Sequence, residues 1–261
     1  MRKVLIVISF FVITAISCKE AQQEKASQSG VYRMEQMSYK NDRLDTTVSS
    51  PKQVKIYTGT HYIFANLSPD SIAGFGVGSY TPDGDNIIEH NIYSSSALDT
   101  AQDFKLNITR QEKGYTQNIA DIKAGGETWS LTEQYSSVSN SGNSPLDGAW
   151  EQTRSLSIQG TDTTIGKGKQ YKIYQNGYFL FVHRNPDPTG TKFSTGFGFG
   201  PFTLEGEKVT ETNTLSNYSM SGWFNTPIPV TVVMNGSDEF TQTIIDTASK
   251  TTSIESYKRL K

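Results

Sequence analysis

Cysteine is almost missing from this chain of 261 residues, which has Cys18 alone, so no disulfide can form within it. Histidine is nearly as scarce. His61, His90 and His183 give no zinc spacing and no recurring ligand set for a metal or haem, so no cofactor is expected. No G-x-S-x-G nucleophile elbow occurs, and with Cys18 the only thiol, no cysteine is available for a buried nucleophile. A surplus of positive charge is also absent: 24 basic residues face 26 acidic ones, and a nucleic-acid groove would need the opposite balance. Beyond residue 30 there is no sustained apolar repeat of helical period, which excludes helical layers and leaves strands.

The one long apolar run, Val4 to Ile16, lies between Arg2-Lys3 and Ser17-Cys18. It is too short and too asymmetrically flanked for a spanning helix and reads as a secretory signal. Ala15-Ile16-Ser17-Cys18 resembles a bacterial lipobox, in which the leader is cut before the cysteine and that thiol is lipidated. The expectation is therefore a signal peptide over 1–17, lipidation at Cys18 and a polar, flexible tether over 18–29. That places the protein in the cell envelope, lipid-anchored, at the outer membrane on its periplasmic or surface side.

What the sequence has in quantity is repetition. DTTVSSPKQVKIYTGTHYIFAN, from Asp45, lies over DTTIGKGKQYKIYQNGYFLFVH, from Asp162, without a gap. GFGVGSYTPDGDNIIE, from Gly74, is answered by GFGFGPFTLEGEKVTE, from Gly196, and Glu133-Gln134-Tyr135 by Glu255-Ser256-Tyr257. Order is kept throughout, so the chain is read as a duplicated unit, 30–139 and 148–261. The linker-like NSGNSPLD over 140–147 joins them.

Within each unit, runs rich in Val, Ile, Thr, Tyr and Phe alternate with turn signals. Asn176-Gly177 and Asn235-Gly236 fit tight hairpins of type I′, and Asp83-Gly84 and Glu205-Gly206 fit similar turns. Eight strands joined to sequence neighbours lose both exposed edges by closing into an antiparallel up-and-down barrel. The fold class is thus all-β, two tandem eight-stranded barrels, with an open sandwich as the other possibility.

The residues then resemble lipocalin-like members of the calycin superfamily, in particular small tandem lipoprotein barrels of Bacteroidetes-type bacteria. The resemblance rests on Gly148-Ala149-Trp150, which looks like the G-x-W opening, the Lys172-Ile173-Tyr174 hairpin, the G-x-G-x-G strand and the terminal Glu255 to Arg259. It implies that Arg259 packs over Trp150 to close one barrel end. It also implies a flap over the open mouth at Asp42 to Pro51 and Gln159 to Gly168. The first unit departs from the pattern, with Tyr32 for the tryptophan and Ser137 for the arginine.

Alternation along a strand puts Gly74, Gly76 and Gly78 on one face, as it does Gly196, Gly198 and Gly200, giving cavity space or a close neighbour. A phosphate cradle is excluded, because G-x-G-x-G leads here into a hairpin and not a helix. On the next strand, Val209, Glu211, Asn213 and Leu215 are predicted to point inward, with Glu89, Asn91 and Tyr93 as their first-unit counterparts. With Tyr57 and Tyr174, these are the candidate ligand-binding residues. An inward carboxylate must find a cation or donors, and Lys55 and Lys172 are the repeated candidates. Ile88 and Ile92 flank His90 on the outer face, which suggests that the second barrel covers it. Three function classes stay open. The leading one is a lipid-anchored protein holding a small apolar or amphipathic ligand; the others are an enzyme with Glu89 or Glu211 as general base, and a filled barrel acting as an interaction module. The expected partners are the membrane through Cys18 and a small molecule, with no nucleic acid.

Overall fold

In the computed structural model, the described residues are 28–96, 101–138, 142–218 and 222–261. The expected leader, Cys18 and the expected tether as far as residue 27 lie outside them. The first unit comprises β1 (Gly30–Lys40), β2 (Asp45–Ser49), β3 (Gln53–Tyr57), β4 (His61–Leu67), β5 (Ala73–Asp83), β6 (Asn86–Ser94), β7 (Gln102–Gln111), β8 (Gly114–Ala124) and β9 (Glu127–Ser137). The second comprises β10 (Gly148–Gln159), β11 (Asp162–Ile165), β12 (Lys169–Gln175), β13 (Tyr178–Pro186), β14 (Phe193–Glu205), β15 (Lys208–Thr212), β16 (Leu215–Ser216), β17 (Pro227–Asn235), β18 (Glu239–Asp246) and β19 (Thr251–Arg259).

Each unit is a closed eight-stranded antiparallel barrel, sealed by β1 on β9 and by β10 on β19, and it fits a lipocalin-like fold. Three segments stand outside the eights: the two-residue β16, which pairs only with β14, and the longer β2 and β11. β2 and β11 extend the hairpins that β1 and β10 begin, so the long connections expected as flaps are built of paired backbone. Turn chemistry explains the meander. Asn176 and Gly177 both take positive φ (50° and 75°), as a type I′ turn requires. At Gly84 and Gly206 only the first central residue is left-handed, the II′ pattern, and Asn235 closes a longer loop in which Gly236 alone has positive φ.

Three apolar clusters hold the molecule. Two fill the barrels: Tyr57, Tyr62, Leu106 and Tyr115 in the first, and Trp150, Tyr174, Phe202, Val232 and Phe240 in the second. The third lies between the barrels and contains Val54, Ile56, Ile63, Ala65, Phe75 and Val77 against Tyr171, Ile173, Leu180, Val182, Phe197 and Phe199. Every one of these residues has its repeat counterpart in the same cluster, so the units meet through equivalent faces, as in an isologous dimer. Arg184 stacks on Tyr93 and donates to Ser96 O (2.8 Å), while Tyr93 Oη donates to Lys169 O (2.8 Å). The barrels therefore do pack together, but not through the face expected. Ile92 is 45% exposed and His90 pairs with Asp103 at the surface (2.8 Å).

Candidate functional site

The barrel interiors carry one polar network written twice. In the first, Glu89 on β6 faces Lys55 and Tyr57 on β3: Lys55 Nζ lies 2.6 Å from Glu89 Oε1, which also accepts from Tyr57 Oη. In the second, Lys172 Nζ lies 2.6 Å from Glu211 Oε1, and Tyr174 Oη donates to the same oxygen (2.5 Å). The ammonium groups sit over aromatic rings, Lys55 at 5.0 Å from Tyr57 and Lys172 at 5.0 Å from Tyr174. Desolvated charges need this arrangement, since an unpaired one is costly. Burial, with the neighbouring carboxylate, pushes the Tyr57 and Tyr174 hydroxyls well above their usual range, so both stay protonated donors.

A second carboxylate extends each network. Gln117 Nε2 donates to Glu133 Oε2 (2.5 Å), as does Tyr135 Oη (2.9 Å); Gln242 Nε2 (2.7 Å) and Tyr257 Oη (2.5 Å) do the same for Glu255 Oε2. Gln53 and Gln170 donate in turn to Tyr135 and Tyr257. These four Glu and Gln positions on β8, β9, β18 and β19 were not singled out from sequence. For the two glutamates the signal was there, in the repeated Glu-x-Tyr that marked the duplication itself.

The two barrels diverge at the mouth. In the first, Asn66 Nδ2 donates to Gln53 Oε1 (3.3 Å). In the second, His183 takes that place, 3.3 Å from Gln170 Oε1 through Nδ1 and 2.6 Å from Tyr218 Oη through Nε2. Burial pulls His183 down to about 4, so the ring is neutral near pH 7. Its Nδ1–H then donates to Gln170 and its Nε2 accepts from Tyr218. A continuous donor chain runs from the rim, where Tyr218 is 42% exposed, through His183, Gln170 and Tyr257 to Glu255.

The glycine ladder makes this possible. A β-carbon on Gly196 would collide with Tyr218 Oη and His183 Nε2, and one on Gly198 with Asn213 Oδ1 and the Phe181 ring. The bare strand β14 is thus the floor on which cavity-lining side chains lie. A cavity of about 340 Å³ opens there in the second barrel. Lys172, Glu211, Asn213, Gln242 and Glu255 form its polar lining, and Phe181, Trp223, Ile228 and Ile244 its apolar lining. A neighbouring space of about 540 Å³ beneath the β10–β11 hairpin shares Gln170, His183 and Glu255 with it. Asn213 is 8% exposed, and its Oδ1 has no hydrogen-bond partner.

In the first barrel the space lies at the mouth, about 460 Å³ against Met37, Val48, Gln53 and Asn66. Register places Phe104 opposite Glu89 where Ile228 stands opposite Glu211, whereas the Tyr115–Tyr135 stack at 4.8 Å is matched in the second barrel by Phe240 on Tyr257 at 4.7 Å. Glu133 and Gln53 are buried, whereas Glu255 and Gln170 are only half-buried. Burial raises the Glu133 carboxyl from its ordinary range. The Tyr62 and Tyr115 hydroxyls also lack partners, but within the packed tyrosine cluster.

Of the sequence candidates, Glu89, Glu211, Tyr57, Tyr174 and Asn213 come together inside the barrels. Tyr93 does not. A bulge at Ile92 reverses the parity of β6, so Tyr93 points outward into the contact between barrels, and Asn91, half-buried, uses its Oδ1 to accept the Tyr93 N–H (3.2 Å). Leu215 also leaves the interior, because the strand breaks after Thr212 and β16 pairs with β14, packing Leu215 against the same contact. Arg259 does lie over Trp150, at 4.0 Å, and donates to Asp147 O (2.6 Å) and Ser237 O (2.8 Å). Leu146, expected in the linker, is buried beside Trp150 and accepts its indole N–H (2.8 Å). In the first barrel Tyr32 pairs with Ser137 and its hydroxyl donates to Gln28 O (3.2 Å), so Gln28, expected in the tether, is packed. Among the described residues no three His, Cys, Asp or Glu side chains form a metal-holding group.

No model of a known protein family matches the sequence, nor does any curated protein. Among solved structures, a protein of unknown function of the DUF3598 family from Nostoc punctiforme aligns over 89% of this chain and 96% of its own, at 11% identity and a TM-score of 0.22. MucB in complex with MucA(peri) aligns over 90% of this chain and 88% of that one, at 8% identity and a TM-score of 0.17. At these scores neither likeness bears on function, and the fold assignment rests on the strand pairings.

Proposed function

We propose that this is a lipid-anchored envelope protein of the calycin type in which the second barrel binds a small amphipathic molecule and the first is a filled supporting copy. The observation that carries the reading is the contrast between duplicates. The same network is retained in both, yet in one its second carboxylate, Glu133, is buried, and in the other the counterpart Glu255 borders a space of about 340 Å³ with an unpartnered amide oxygen in its wall. That volume is at the lower end for small-molecule sites, and mixed apolar walls with a few polar groups are their usual composition. The lipobox-like Ala15 to Cys18 supports the anchor and the outer-membrane address of a Bacteroidetes-type lipoprotein. Catalysis by Glu211 is the weaker reading, because its charge is already matched by Lys172 and its Oε1 is shared between Lys172 and Tyr174.

Native mass spectrometry of the protein purified from its own cells tests the proposal. One small molecule is expected per chain, lost when Ile228→Phe installs the first barrel's residue. A wild-type protein that carries nothing and takes up no amphiphile at high concentration overturns it.

A further inference from the structure

We infer that the second barrel selects amphiphiles whose polar end donates hydrogen bonds, an ammonium ahead of a hydroxyl, and rejects those ending in a carboxylate. This rests on the binding role proposed above and concerns only what is bound.

Lys172 is the one cation in the lining, and its ammonium is already matched by Glu211 and shared with Gln242 Oε1 (3.2 Å). Glu255 has no cationic partner among the described residues; its Oε2 is held by the neutral donors Gln170, Gln242 and Tyr257. The wall therefore carries one carboxylate more than it has cations. Acceptors are in surplus as well. Neither Glu211 Oε2 nor Glu255 Oε1 receives a hydrogen bond from a described residue, and Asn213 Oδ1 is buried without a donor. The unmet buried acceptor on Asn213 is costly, and a ligand donor would recover that cost. A carboxylate would add a second uncompensated negative charge in a poorly solvated space, the costlier outcome. The hydrocarbon end has Phe181, Ile228, Ile244 and Trp223 to cover it.

The copy in the first barrel sharpens the contrast. There the Asn213 counterpart, Asn91, has its Oδ1 satisfied by a backbone N–H, so the feature that calls for a donor belongs to the second barrel alone.

Calorimetric titration of the folded full-length protein with octylamine, octanol and octanoate at pH 7 and low salt tests this, the three probes sharing one tail. Octylamine is expected to bind at least about ten-fold more tightly than octanoate, with octanol between. Glu255→Gln should narrow the amine-to-carboxylate ratio about ten-fold while leaving octanol little changed. Asn213→Leu should weaken octylamine and octanol several-fold. Octanoate binding as well as octylamine, or a ratio indifferent to Glu255→Gln, overturns the inference while leaving the binding role intact. Failure of all three probes to bind would instead overturn the role beneath it. If Asn213→Leu does not fold, the wild-type ranking and Glu255→Gln still decide.

Discussion

Lys172 and Glu211 illustrate why one side chain cannot be removed alone. Both are almost wholly buried, 2.6 Å apart, and each is the other's compensation. Lys172→Met is expected to cost about 3–5 kcal/mol in urea unfolding, with much of that recovered in Lys172→Met/Glu211→Leu, because the orphaned charge is then gone. Additive losses in the double variant would contradict this. His183 adds a pH signature. Its folded value of about 4 lies below the ordinary 6.5, so between those values the unfolded chain holds a proton that the folded one refuses. Stability must therefore fall as the pH drops from 6.5 towards 4, by up to about 3 kcal/mol from this residue. In His183→Asn, the arrangement that Asn66 already shows, the gap in unfolding free energy from wild type should narrow on acidification. An unchanged gap would mean that the ring is not held neutral.

At the level of the strand, alternation made the inner face legible and bulges marked where it stopped. Val209, Glu211 and Asn213 all line the interior, as a period of two requires, and the rule ends where the strand breaks before Leu215. Nothing in the residues around Ile92 announces the extra residue that turns Tyr93 outward, since the bulge is fixed by pairing with Gly78 across the sheet. The glycines were legible as space; what occupies it depended on side chains from three other segments. Gly198→Ala is expected to push against Phe181 and Asn213, lowering stability by about 1–3 kcal/mol and weakening ligand uptake, as thermal unfolding and titration would show. Full stability with unchanged uptake would mean that this strand is not the cavity floor.

Across the whole molecule, the duplication gave two barrels but not the face that joins them. The signal was present in a form easily read as core: Val54 to Tyr57, Tyr62 to Ala65 and Tyr171 to Tyr174 are apolar on both faces, apart from the inward lysines, where a one-sided strand would alternate. The outward half of each run is the contact between barrels. Because that contact is a continuous core, the units should unfold in one cooperative transition, and Ile173→Ala, in the shared cluster, should cost about 2–5 kcal/mol. The central claim is that the second barrel holds the ligand and the first is filled. The most direct test is a methyl and side-chain amide NMR titration with octylamine. The account predicts shifts at Asn213, Ile228 and Ile244 with Asn91, Ile87 and Ile119 unmoved; equal shifts in both sets, or shifts confined to the first barrel, would contradict it.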